Sequence, residues 1–242
     1  MISLAGPISG RRARKPAHGD TALLCGKMVR RHKYRPEQLN FFKFATIVID
    51  EFPKALRQTF KFMWDTKYGP AELWDDSEAV RNSFKAKEGG VTKVRTQLSY
   101  EKWDCTALYQ ATIFAQSFAV PDSIGSLKTL SKMYVKPRGL PPESFHTSVL
   151  SPGGNNAETF ALAIDQLRLL RNSFCHSASS AMDKTTLDQY VQRAKDAFQA
   201  LGLKTDQIDA IGSSTESDFT TDKVAKLERQ VLHLKKIGRA HV

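Results

Sequence analysis

The sequence predicts an all-α protein: a helical bundle with a long Pro/Gly-rich connection and a basic tail. Three observations carry this reading. Apolar residues recur at three- and four-residue spacing over most of the chain, and capping and stop signals bracket those segments. No alternating strand pattern of useful length and no Gly-rich phosphate loop is present. At 242 residues, with 41% hydrophobic and 25% charged content, the chain is long enough to bury a sizeable core.

The segments follow in order. "EQLNFFKFATIVI" (37–49) and "PKALRQTFKFMWDTK" (53–67) read as helices. In the second, Leu56, Phe60, Met63 and Trp64 share a face, Pro53 suits the first turn and Gly69 suits the end. "KEGG" (87–90) reads as loop, and Asp104 is placed to cap a third helix, "CTALYQATIFAQSF", ending before Pro121. The run from Tyr134 to Asn156 is dense in proline and glycine, which forbids a helix and argues for a long ordered connection or an inserted lobe.

After it, Asn155 and Glu158 form a capping-box pattern at the start of a helix whose stripe is Phe160, Ala161, Ile164 and Leu167. A further helix spans about Asp183 to Leu201 and stops at Gly202. In "TTDKVAKLERQVLHLKK", Val224, Leu227, Val231 and Leu234 fit either the start of a coiled coil or a helix docked on the same domain. The aromatic residues Phe41, Phe42, Phe44, Phe60, Phe62 and Trp64 are assigned to core packing rather than base stacking, and Trp74 and Trp103 to packing anchors beside helix caps.

Charge is unevenly distributed. The formal net charge is +11, yet residues 1–35 hold nine basic residues against Asp20 alone, a net of +8 that leaves +3 for the rest. This describes a near-neutral globular part (36–236) behind a basic, disordered tail (1–35) rather than a basic domain. The tail lacks the apolar run of a secretory signal, and its Arg-rich character also suits a mitochondrial presequence or a nuclear localisation patch. Cys25, Cys105 and Cys175 lack metal-ligand spacing, so a reducing compartment (cytoplasmic, or nuclear) and structural thiols are expected, with no metal, cofactor or membrane span. The final "IGRAHV" (237–242) resembles translated sequencing adapter, so the natural chain is expected to continue past Lys236.

The candidate site lies in "LRLLRNSFCHS" (167–177), where Arg171, Asn172 and His176 follow an apolar helical run. An Arg followed by a His with four to six residues between them also occurs twice in the tail, from Arg11 and Arg12 to His18, so spacing alone makes no site. Stepping 100° per residue puts Arg171 on the buried stripe, where an unpaired guanidinium would cost several kcal/mol. On an unbroken helix His176 stands about 140° around the axis from Arg171. The two converge only if the helix breaks near "NSFCHS" or a second chain completes the site. The plainer alternative is that Arg171 and Asn172 tie the helix end to nearby polar groups.

This segment, its capped helix, "WDCTALYQA" and "LDQYVQRAKDAFQALGL" together resemble the HEPN superfamily, the higher eukaryotes and prokaryotes nucleotide-binding domains. More narrowly they resemble the DZIP-type branch found at the amino terminus of a DAZ-interacting zinc-finger ubiquitin ligase. The resemblance covers about residues 37 to 236. It implies an all-α bundle that pairs with itself or another HEPN domain, with Arg171 and His176 at the interface, in a signalling, immune or ubiquitin-related setting. In nuclease members the His acts on the ribose 2′-hydroxyl or the leaving oxygen and the Arg holds the phosphate, without metal, on single-stranded RNA. The expected function is an interaction or dimerisation module that is RNA-associated, the alternative a metal-independent endoribonuclease using Arg171, Asn172 and His176.

Overall fold

The computed structural model describes residues 33–142 and 144–239, with side chains given up to Lys236. The tail assignment for residues 1–32, with Cys25, lies outside the described residues. Within them the protein is an all-α helical bundle of eight α-helices, with one two-stranded ribbon.

The first two helical segments form one continuous rod. α1 (Pro36–Thr46) passes through a wider π-type turn, Ile47–Glu51, directly into α2 (Phe52–Tyr68). Pro53 explains the turn, since its ring would press on the carbonyl four residues back and it offers no N–H there. Gly69 ends α2 in an extended conformation.

α3 (Glu78–Lys87) was not read from the sequence; Ser77 caps it, accepting from the Val80 amide. α4 (Cys105–Ala111) starts as expected, with Asp104 accepting from the Ala107 amide at 2.8 Å, but it is half the expected length. The Thr112 hydroxyl bonds back to the Leu108 carbonyl at 2.8 Å and the backbone leaves the helical region at this fully buried residue. The chain then forms the short ribbon of β1 (Val120–Pro121) against β2 (Leu127–Lys128).

The Pro/Gly-rich connection begins, contrary to expectation, with a helical turn at each of Ser131–Val135 and Lys136–Arg138, and its described residues form no regular structure from there to α5. α5 (Asn156–His176) is capped by Asn155, which accepts from the Glu158 amide at 3.1 Å. Glu158 does not reach back to Asn155 as in a full capping box; it pairs with Arg138 and Ser151. α6 (Lys184–Ala200) is capped by Asp183 and closed by Gly202 at φ +73°. α7 (Asp206–Ser213) was not anticipated, and α8 (Thr221–Arg239) runs three residues into the stretch assigned as adapter-like.

α5 is the central helix, packed along α6 and touched by α4 and α8, while α1 lies against α6 and α8. Residues 161–167 are buried consecutively, all round the helix. Two aromatic centres fill the core. Phe41, Phe44, Phe174 and Tyr190 join α1, α5 and α6, and Phe60 meets Trp64, Trp74, Phe84, Tyr100, Trp103 and Phe118. Trp74 and Trp103 thus pack as expected; Phe62 does not, because it lies two residues from both Phe60 and Trp64 and is 56% exposed. α8 docks on the domain through Val224, Leu227 and Val231.

Candidate functional site

α5 continues without a break through "NSFCH" and ends only at Ser177. Its capped start and long apolar run make it a rigid rod, so the azimuth of each side chain in its last turns follows from sequence position. The end is held from outside, because Lys235 of α8 donates from Nζ to the Ser177 carbonyl at 2.7 Å. A cation there also opposes the negative end of the helix dipole.

Arg171 points into the molecule and is 6% exposed. Its Nη1 donates to Asn172 Oδ1 at 3.1 Å and its Nη2 reaches Thr106 Oγ1 of α4 at 3.5 Å, while Nε is buried without a partner. Among the described residues no carboxylate forms an ion pair with it. Its charge falls instead on Cys105, Cys175 and Tyr109. Burial pushes the Cys105 thiol up to about 12 and raises Cys175 and Tyr109 as well, with the guanidinium opposing the rise in each case. Both thiols are free and buried, consistent with structural roles.

His176 is exposed on a different side. It is not brought to Arg171, because five residues of straight helix separate their directions by about 140°. Asn172 and His176 do come together, and the basic group beside them is Arg168. These three stand at four-residue steps, each about 40° from the next, and border one cleft of about 820 Å³. Lys136, Leu140, Pro141 and Pro142 of the connection form its other wall.

Behind Arg168 stands a polar relay that the sequence analysis missed. His146, from the connection, meets Asp165 through Nε2 and Oδ2 at 2.9 Å, and Arg168 Nε donates to Asp165 Oδ1 at 2.6 Å. The His146 and Asp165 side chains are 2% and 1% exposed. The backbone of His146 is pinned too: its amide donates to Gln166 Oε1 at 3.0 Å and its carbonyl accepts from Arg193 of α6 at 3.3 Å. Asp165 therefore orients the guanidinium at the cleft mouth and holds the connection against α5, while Arg193 ties it to α6. The sequence signal was the pair Asp165–Gln166, which interrupts "ALAIDQLRLL" at positions a buried helix fills with polar residues only when they have partners.

Chemically, the cleft offers Lys136, an Arg168 guanidinium already paired with Asp165, an amide and an imidazole around an apolar floor, a mixed polar and apolar face. Among the described residues no group of three or more His, Cys, Asp or Glu could hold a metal ion, and no helix is long and apolar enough to cross a membrane. No family model, curated protein or solved structure matches the chain.

Proposed function

We propose that the chain is a HEPN-like interaction module that pairs with a second copy through the exposed end of α5. The observation that carries this is the separation of Arg171 from His176 on an unbroken helix. Arg171 is engaged inside the fold, tying α5 to α4, so the pair that would share a phosphate is not assembled within one chain. What faces outward is a cleft with an apolar floor and a rim of Arg168, Asn172, His176 and Lys136, the composition of a compact interface with a polar edge. Single-stranded RNA is an accessory partner in this reading, held by Arg168 and Lys136 without cleavage. Sedimentation equilibrium of the purified chain with and without single-stranded RNA tests it: a dimer is expected in both, and a monomer at all concentrations sinks it.

The second reading, a metal-independent endoribonuclease, is favoured by one observation: Arg168, Asn172 and His176 share a cleft. Arg168 rather than Arg171 would then hold the phosphate. The ribose 2′-hydroxyl would attack phosphorus, breaking the bond to the 5′ oxygen and leaving a cyclic phosphate, with His176 moving the proton. Incubation with single-stranded RNA in chelator decides it. Products lost in Arg168→Ala and His176→Ala are required, and no products from the parent chain eliminates cleavage.

A further inference from the structure

A second cavity, of about 1000 Å³, lies toward the opposite end of the 21-residue α5, its centre about 20 Å along the helix from that of the cleft. It is walled by α2, the first turn of α5, the end of α6 and β1. The walls are mainly apolar, including Phe62, Met63, Phe160 and Leu203. Phe62 and Phe160 stand with ring centroids 5.8 Å apart, and Phe62 remains 56% exposed. An open apolar chamber of this size is at the upper end of small-ligand sites and gains free energy when covered.

One charged residue lines it, Lys67 of α2. Its Nζ donates to the Ala119 carbonyl at 3.2 Å, and no carboxylate among the described residues pairs with it. Partial burial holds the ammonium below the usual lysine range, with no acidic neighbour opposing the shift. Thr59, on the same wall and 3% exposed, has a hydroxyl without a hydrogen-bond partner. The combination is an apolar chamber with one ammonium at its wall, bonded to a backbone carbonyl and 5.8 Å from the Tyr68 ring centre but matched by no carboxylate among the described residues.

We propose that this cavity binds a small monoanionic amphiphile of the long-chain carboxylate class, its apolar body against Phe62, Met63 and Phe160 and its carboxylate at Lys67. Charge complementarity selects the ligand: a neutral apolar molecule leaves the ammonium's charge unmatched, and a polyanion brings charges that no other wall residue matches. The site is independent of pairing through α5.

The test titrates the full chain with dodecanoate and with dodecanol, reading displacement of 1-anilinonaphthalene-8-sulfonate fluorescence. Dodecanoate is expected to displace the probe saturably. Lys67→Met weakens it about tenfold, the scale of one charge-assisted hydrogen bond, while Lys67→Arg preserves it and dodecanol responds to neither. A second variant, Ala157→Trp, fills the chamber from the first turn of α5 and abolishes binding of both ligands at an unchanged unfolding midpoint. Failure of saturable displacement overturns the proposal, as does equal dodecanoate affinity in Lys67→Met and the parent. So does a change of molecular mass in Ala157→Trp, which would mean that a second copy covers the chamber.

Discussion

Asp165 carries more of the site than any residue singled out in the sequence. It holds His146 on one oxygen and Arg168 on the other while 1% exposed, so removing it leaves a buried imidazole facing a void and releases the guanidinium at the cleft mouth. Asp165→Ala is expected to cost about 2 kcal/mol in urea unfolding, in line with leaving a buried polar group without its partner. Tyr109 makes the opposite case: its buried hydroxyl has no partner, so Tyr109→Phe should raise stability by roughly 1 kcal/mol. Burial also fixes the response to alkali. Cys105, Cys175, Tyr109 and Tyr100 keep their protons longer in the folded chain than in the unfolded one. The unfolded state therefore binds fewer protons as the pH rises, and stability falls with pH. The fall should begin at about pH 8.5, the ordinary thiol value. It continues through Cys105, near 12, and beyond it, because burial raises Tyr109 and Tyr100 as well. Urea midpoints measured between pH 7.5 and 10.5 check this, and a flat profile would contradict it.

Among the elements, those with strong local signals were legible. Asp104, Asn155 and Asp183 start their helices where the sequence placed them, and Gly202 stops α6 in the left-handed conformation that favours glycine. Gly202→Ala should accordingly cost about 1 kcal/mol. The misses have physical causes. α3 and α7 are short and each buries one residue, Phe84 and Ile208, so neither shows a stripe. α4 is cut by the back-bonding of Thr112, a tertiary choice that periodicity does not register. On α5 the stripe argument placed Arg171 correctly but overlooked Arg168, because a central helix buried all round has no polar face until its last turns. His146 was invisible for another reason: its partner lies 19 residues away in a different element. α8 offers a clean check on docking against coiled-coil pairing. Leu227→Asp should cost more than about 2 kcal/mol and Leu232→Asp less than about 0.5 kcal/mol. The reverse order would mean that the 56% exposed Leu232 face, not the buried one, carries the packing.

At the scale of the whole molecule, α5 serves as an axle. Its start borders the apolar chamber, its middle is the core, and its end presents the polar cleft between Arg168, His176 and the connection. The overall bundle could be read from periodicity and caps, whereas the division of labour along α5 could not, since it depends on where the connection folds back. Outward pairing through the cleft is the central claim, and molecular mass under charge reversal tests it most directly. The parent chain should sediment as a dimer, with or without RNA. Arg168→Glu/His176→Glu should sediment as a monomer with unchanged helical circular dichroism. A parent that stays monomeric, or a double variant that remains a dimer, would contradict the account.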